Sequence, residues 1–512
     1  MDNFQLKIDN TRRVNLDADG FTFGLKKISL LDRLNKTSGV AIFLVIAIAI
    51  AIGTGLYGVK FTVMILAAAI ALPVVAGVLL YPEFGMVVVV MMAYLLFLLT
   101  RIGVSGPVGV IMDGLQVLMM VGLAVKQRTE HNWDMLKGPV TTMILVWIGY
   151  NVFEFANPAA ESRLAWVYTI RTVAIVLLLY FVFLYNIRTI KMVRLLFKIW
   201  LALALFAALY GYKQEYIGFS AVEDAYLHSD PAIADLLFIG GHWRKFSIFS
   251  DPVSFGYNMV MAAIIGICIL EGKFSLWKKI VVGICVCMYL HSMLFSGTRA
   301  ANPLVPAAMA LFAVIKYNKK ILMLAILGVF GLIVLINIPT SNPNLVRFQT
   351  AFRPNNDDSY NLRKFNQKRI QPFIQSHPIG GGLGATGTWG KRFAPGSYLA
   401  NFPPDSGYMR IAVELGWIGL IIFCTLMFTI MKTGINNYYR IKNPELKTYC
   451  LAMTLVVFAY NIANFPQEAL VQYPSNLLFS LAAALISVTY RIDRQQRRPE
   501  EAFNEKEVIR YQ

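Results

Sequence analysis

An all-α polytopic membrane protein is the fold class that this sequence predicts, and three observations carry the prediction. Of the 512 residues, 57% are hydrophobic and only 15% are charged, against roughly 25% charged in a soluble domain. Apolar runs of roughly 20 residues, the length that crosses a hydrocarbon core, recur along the whole chain. The connections between these runs are basic at nearly every second position, as in a chain threaded back and forth through a bilayer. The mean hydropathy of +0.57 agrees.

The elements follow in order. Residues 1–37 are polar and include Arg12, Arg13, Lys26, Lys27 and Arg33. Such a segment is too long and too basic to lead into a signal-peptide core, so it is predicted to be cytoplasmic. Run length then places about fourteen spans within a membrane domain over 38–490. Their expected ranges are 38–58, 61–80, 83–100, 108–126, 138–156, 165–187, 195–213 and 251–270, then 277–294, 299–316, 320–339, 408–431, 447–466 and 474–490. With the N-terminus inside, the cytoplasmic connections read KQRTEHNWDMLK, NIRTIKMVR, EGKFSLWKK, KYNKK and MKTGINNYYRIKNPELK. All are rich in Lys or Arg; only the YPE turn after the second span is not. The charged tail, 491–512, opens RIDRQQRR and is also expected inside, which requires an even number of spans. Two long connections then fall on the periplasmic side, at about 214–250 and, between spans eleven and twelve, at about 340–407. A long connection is usually functional, and the second is expected to hold short helices, for instance over 361–376.

Charge narrows the partners. The formal net charge is +18, but the positive-inside distribution accounts for it, so no nucleic-acid partner is predicted and the lipid bilayer is. The five cysteines lie in or at the edge of apolar runs without a CxxC pair, which argues against a zinc site or a disulfide framework. Ionisable groups inside spans are costly and mark functional candidates. Here they are Asp113, Glu154, Arg171, Arg299, Arg410 and Glu414. All are predicted in the outer halves of their spans, as around a polar cavity open to the periplasm; snorkelling to the interface is the competing account, chiefly for Glu154 and Arg171.

Four segments carry motifs: FSIFSDPVSFG at 246–256, SGTRAAN at 296–302, SHPIGGGLG at 376–384 and PPDSGYMRIAVELGWIGL at 403–420. In order and spacing they resemble the O-antigen ligase and O-antigen polymerase family of bacterial membrane glycosyltransferases. That family has a Ser-Gly-Ser/Thr-Arg element, an Arg-bearing helix leading to a His-Pro-x-x-Gly-x-Gly turn, and a His-x-x-Tyr-Leu…Glu-x-Gly element. These map to Arg299, to Arg363 with His377 and Pro378, and to the stretch from Asp405 through Tyr408 to Glu414 and Gly416. The resemblance covers roughly 240–420. It departs at Asp405, where the family usually has His.

The resemblance implies a GT-C-like enzyme of the inner membrane with its active site facing the periplasm. The donor would be an undecaprenyl-diphosphate-linked glycan, and the acceptor a hydroxyl of a second glycan or of lipid A core. A chain-length regulator or a flippase would be possible partners, and no cofactor is implied. The residues suit this chemistry on their own account. Arginine stays protonated and grips phosphate with paired donors, and the 340–407 connection carries eight cationic against three anionic residues, a net +5. Arg299 and Arg363 are therefore the expected diphosphate contacts, with Arg244 and Lys245 behind them unless these two contact lipid headgroups instead. A snorkelling Arg299 and a merely solvated basic face around Arg363 remain the alternatives.

Asp405 is the expected general base, unless it only caps the following helix. His377 is a second candidate base. Gly382 and Gly384 are expected to let backbone approach substrate; no GK[ST] follows, so this is no nucleotide loop. Tyr408, Arg410 and Glu414 complete the expected substrate contacts, although Arg410 and Glu414, four residues apart, can equally form an internal ion pair. No metal-ligand spacing occurs in the outer connections, so transfer is expected to be metal-independent. Two other functions compete. A lipid-linked oligosaccharide flippase would show two similar halves and a cationic central path, where this chain has one dominant loop and no internal repeat. A non-enzymatic subunit of glycan export would tolerate loss of Arg299.

Overall fold

The computed structural model describes residues 37–510 apart from 58, 102–107, 240, 318, 342, 351 and 353–357. The expected cytoplasmic segment, and with it Arg353 and Asp357 of the long connection, lies outside the described residues. The chain divides into two compact units, one ending at Val74 and one beginning at Val75. The first holds α1 (Thr37–Tyr57) and most of α2 (Val59–Leu80). All that follows belongs to the second.

That unit opens with α3 (Pro82–Arg101), α4 (Gly109–Glu130), α5 (Pro139–Phe153), α6 (Arg163–Val173), α7 (Leu179–Asn186) and α8 (Ile190–Tyr216). Two short helices, α9 (Ala221–Leu227) and α10 (Pro231–Leu237), and a two-stranded hairpin, β1 (Phe238–Ile239) with β2 (His242–Trp243), fill the first long connection. Next come α11 (Pro252–Glu271), α12 (Leu276–Phe295), α13 (Leu304–Ile315) and α14 (Lys319–Asn337). The second long connection contains α15 (Pro343–Thr350), α16 (Asp358–Ser376) and α17 (Gly387–Phe393). The chain closes with α18 (Gly407–Glu414), α19 (Gly416–Arg440), α20 (Pro444–Ala463) and α21 (Ser475–Arg510).

Ten of the described segments are long and apolar enough to cross a membrane. They coincide with the third to ninth and the last three of the expected spans. The other four expected spans fall on α1, α2, α13 and α14, which are not among the ten. Three spans differ in form from the expectation. The sixth is broken by a 3-10 turn at Ile175–Leu178 between α6 and α7. The tenth opens with a 3-10 turn, Arg299–Ala301. The twelfth divides at Leu415 into α18 and α19. The last helix runs on without a break to Arg510, so the charged tail begins inside it.

Helix starts follow local chemistry. Asp251 accepts from the Val253 and Ser254 amides ahead of Pro252, and Asn443 does the same for Glu445 and Leu446 ahead of Pro444. In each case a side chain satisfies the orphan N–H groups of a first turn and proline supplies none. Ser220 and Glu223 form a reciprocal capping box on α9. The core lies where α11, α20 and α21 pack together, since these are the most buried of the spans. Lipid offers no hydrophobic drive between helices, so close fit matters there. Gly434 of α19 illustrates it: a Cβ would collide with Thr454 of α20.

Candidate functional site

The Gly-rich turn after α16 is built around one carboxylate. Glu414 is buried, 2% exposed, at the end of α18. Its Oε2 accepts from the Gly384 amide at 3.0 Å; its Oε1 accepts from the Thr386 amide at 3.2 Å, the Thr386 hydroxyl at 2.5 Å and Arg410 Nε at 3.1 Å. The backbone is tied in parallel, because the Gly381 and Gly382 amides donate to the Val413 and Glu414 carbonyls at 2.9 Å. The break at Leu415 makes this possible. Gly416 adopts φ +68°, a region closed to most side chains, and its missing Cβ leaves room for the Pro378 carbonyl. The Leu415 carbonyl accepts from the Gly419 amide at 3.1 Å and from Tyr150 of α5 at 2.7 Å, and Asn157 donates to the Ile379 carbonyl at 3.0 Å.

Arg410 is held on both sides, by Glu414 and, at 2.7 Å, by Glu468 Oε2. Glu468 stands in the connection between α20 and α21. Burial raises its carboxyl, Arg410 opposes the rise, and the Glu414 and Asp405 charges add to it. Asp405, in the approach to α18, differs from both glutamates. It is half-buried, and among the described residues nothing donates a hydrogen bond to its carboxylate. Burial lifts that carboxyl above the ordinary aspartate range, and the Arg363 guanidinium, within electrostatic reach on α16, partly offsets the lift. Tyr257 of α11 lies within electrostatic range of both Arg363 and Asp251.

The N-terminus of α11 links this group to the SGTR segment. Asp251 Oδ2 accepts from the Ser250 and Ser254 hydroxyls at 2.6 and 2.8 Å. Buried Arg101 donates to the Phe249 and Ser250 carbonyls at 3.3 Å from between the Tyr226 and Phe246 rings. Thr298 donates to the Pro252 carbonyl at 3.1 Å and accepts from Arg244 Nη2 at 3.1 Å. Arg244 Nε also donates to the Ser296 carbonyl at 3.0 Å. Arg299, half-buried, is the next residue.

The structure thus brings Arg363 to Asp405, and Arg244 to the turn that presents Arg299. A cavity of about 60 Å³ lies against α18, lined mainly by apolar groups such as Trp147, Phe423 and Phe479, with Arg410, Glu414, Asn464 and Asn476 as polar lining. Arg299, Arg363 and Asp405 are not in its wall. Other expected contacts are engaged with neighbouring groups of the protein. Lys245 is 4% exposed, paired with Glu215 at 3.2 Å and seated over Phe219, so it supports the first long connection instead of facing a ligand. His377 folds back on its own helix, stacked on Phe373 with ring centroids 4.0 Å apart and Nδ1 bonded to Ser376 and the Phe373 carbonyl. The Tyr408 hydroxyl is bonded to Asn461. The Gly384 amide is committed to Glu414, and Arg410 and Glu414 form the internal pair. Ser406, not Asp405, caps α18, accepting from the Met409 amide, which leaves Asp405 without the structural duty considered for it.

Glu468 was not among the expected residues. Its one sequence signal is an acidic side chain in NFPQEALVQYP, a short connection on the same side as the two long ones. Asp113 and Arg171, expected among the charges around an outward-open cavity, form a 2.6 Å ion pair between α4 and α6. Among the described residues, no three His, Cys, Asp or Glu side chains group as a metal site.

A bundle of apolar helices, broken where polar turns enter it and carrying arginines and carboxylates at those breaks, defines a multi-pass membrane protein with a polar site. Residues 283–424 match the family model described as O-antigen ligase, which supports the resemblance of this segment to the O-antigen ligase and polymerase family. The matched segment contains Arg299, Arg363, His377, Asp405 and Glu414, but neither Arg244 nor the FSIFSDP segment. The match supports a ligase- or polymerase-type function in general. No curated protein matches the chain.

Proposed function

We propose that this protein moves a glycan from undecaprenyl diphosphate to a sugar hydroxyl, on a second glycan or on lipid A core, at the periplasmic face of the inner membrane. Asp405 is the general base. It takes the proton of the acceptor hydroxyl as the oxygen attacks the anomeric carbon; the bond from that carbon to the phosphate oxygen breaks, and the diphosphate leaves on its lipid. Arg363 and Arg299 meet the charge that develops on the leaving group, and Arg244 steadies the Arg299 turn. Preorganised cations in a water-poor site can supply the main stabilisation of such a transition state, so the reaction needs no metal ion.

One observation carries this reading. Asp405 is a half-buried carboxylate with no hydrogen-bond donor committed to it among the described residues, facing the Arg363 guanidinium. Every neighbouring carboxylate is engaged: Glu414 with the Gly-rich turn, Glu468 with Arg410, Asp251 with its helix cap. A raised carboxyl that keeps its lone pairs open is suited to accept a proton.

The test is deletion of the gene, complementation with wild type or variants, and gel analysis of surface glycan. Wild type restores normal glycan, whereas Arg299→Ala, Arg363→Ala and Asp405→Asn insert but fail. Single repeats on core would mark a polymerase, and unattached lipid-linked polymer a ligase. Normal glycan in all three variants, or trapped cytoplasm-facing intermediate, would refute the proposal.

A further inference from the structure

Helix α16 turns Arg363 toward Asp405 and presents a different chemistry on its other side. Its inner face is packed: Ile370 is fully buried against Leu399, Phe402 and Val413, and Phe373 and Ile374 join that cluster. Its outer face is open. Leu362 and Phe365 are 57% and 60% exposed, and Lys364 and Lys368 are exposed beside them. Among the described residues no carboxylate pairs with either lysine. Two lysines four positions apart share one face of a helix and repel each other, which weakens the helix unless an anion lies against them.

The height of α16 follows from its two ends. Just past its C-terminus, the Pro378 carbonyl accepts from the Ile418 amide at 3.2 Å, in the first turn of α19. Toward its N-terminus, Arg363 lies within electrostatic range of Tyr257. The Tyr257 hydroxyl donates to the Ala463 carbonyl at 3.2 Å, at the end of α20. Both α19 and α20 are long and apolar enough to cross a membrane. Their two ends lie on one side of the bundle, because α18 runs into α19 and its Gly407 amide donates to the Asn464 carbonyl, just after α20, at 3.0 Å. Roughly 20 Å of helix joins the two points. Helix α16 therefore runs along the boundary of the apolar bundle and not away from it.

We infer that α16 is an interfacial helix, whose Lys364–Phe365–Lys368 face docks on the phosphate headgroups of the lipid leaflet around that end of the bundle. A helix lying in the headgroup plane carries Lys on its polar side and Phe or Leu toward the acyl chains. Phosphates would supply the counter-charge that both lysines lack within the protein. A helix bathed in water could keep the lysines but would gain nothing from exposing Leu362 and Phe365 beside them. The docking does not depend on Asp405 acting as a base. Its consequence for the site is that Arg363, on the opposite face of the same helix, is held at headgroup height.

The experiment uses the full chain in nanodiscs of phosphatidylcholine, alone or mixed in equal parts with phosphatidylglycerol. Hydrogen exchange of residues 361–371 reads how firmly the helix is held. A lysine at an anionic surface contributes about 1 kcal/mol, a factor of about five. Wild type is expected to exchange more slowly in the anionic discs, by up to about 25-fold for the two lysines together. The double variant Lys364→Gln, Lys368→Gln should lose that difference. With Phe365 replaced by the photoreactive p-benzoylphenylalanine, irradiation should place a lipid mass on the peptide that contains it. Equal exchange of wild type in both discs would overturn the docking, even if neither variant inserts. A crosslink to another copy of the chain would overturn it in favour of a protein interface, and irradiation without a lipid adduct in favour of a solvated face. Neither readout measures transfer, so failure here leaves the transfer reading intact, and failure of transfer leaves the docking intact.

Discussion

Replacing Glu414 by glutamine is the sharpest perturbation of the turn that carries this site. The glutamate accepts four hydrogen bonds, from the Gly384 and Thr386 amides, the Thr386 hydroxyl and Arg410. Glutamine keeps one oxygen, which can still serve Thr386 and Arg410. Its NH₂ must then face the Gly384 amide, donor against donor. A bond to a charged group contributes about 1.5–3 kcal/mol, and stripping one partner from a buried pair costs about 3–5 kcal/mol. Glu468 continues to neutralise Arg410, so the expected loss lies near the lower bound, about 3 kcal/mol. Thermal unfolding of the purified protein, followed by tryptophan fluorescence, should show a clear drop in midpoint. Hydrogen exchange should show earlier opening of residues 380–386 than of α20. A Glu414→Gln protein with the wild-type midpoint and unchanged protection of that turn would refute the reasoning, because the carboxylate would then not be what holds it.

The other predictions concern the base, the cations and the turn. Asp405→Asn should abolish transfer without lowering stability. The folded carboxyl is raised above its unfolded value of about 3.9, so its ionised form weakens the fold; the asparagine protein should be the more stable above the folded value, and the difference should vanish below the unfolded one. Unfolding midpoints across that pH range check the sign, and a loss of stability at neutral pH would contradict it. Arg363→Ala should reduce transfer by roughly a hundredfold or more, as removal of one preorganised donor does, with Arg363→Lys in between because a point charge lacks the paired donors; an in vitro assay on lipid-linked glycan measures both. Transfer in that assay should persist in excess chelator, and a strict divalent requirement would overturn the metal-free mechanism. Gly384→Ala should destabilise by about 1–3 kcal/mol, since φ is +83° and the new methyl meets Thr169; an unchanged unfolding midpoint would count against the packed turn.

Much of this was legible in the chain. Ten of the fourteen spans placed by run length appear among the described residues as segments long and apolar enough to cross a membrane, because lipid forces each crossing to satisfy its own backbone. The SGTR, HPIGGGLG and DSGYMRIAVELG segments marked the family, and α16 appears over Asp358–Ser376 where a short helix was expected over 361–376. The breaks were not legible. In 408–431 the hydropathy continues straight through Leu415, and nothing local announces that Gly416 will turn to φ +68° to admit Pro378. The roles of individual polar residues were equally hidden. Lys245 and Arg244 are neighbours in sequence, yet one is sealed against Glu215 and Phe219 while the other reaches Thr298. Gly384 looked like a place for substrate and is occupied by Glu414.

The sequence by itself determined that the chain lives in a membrane, about where it crosses, and which family its central segment resembles, since apolar length and motif order are properties of the chain read one residue after another. Only the tertiary structure decided which charges are spent on one another. Arg410 is neutralised by Glu414 four residues away and by Glu468 from another connection, Arg244 binds a turn more than fifty residues on, and Asp405, to which nothing among the described residues donates a hydrogen bond, lies within electrostatic range of Arg363. Electrostatics and hydrogen bonding depend on distance in space, and that distance is set by how helices far apart in the chain pack.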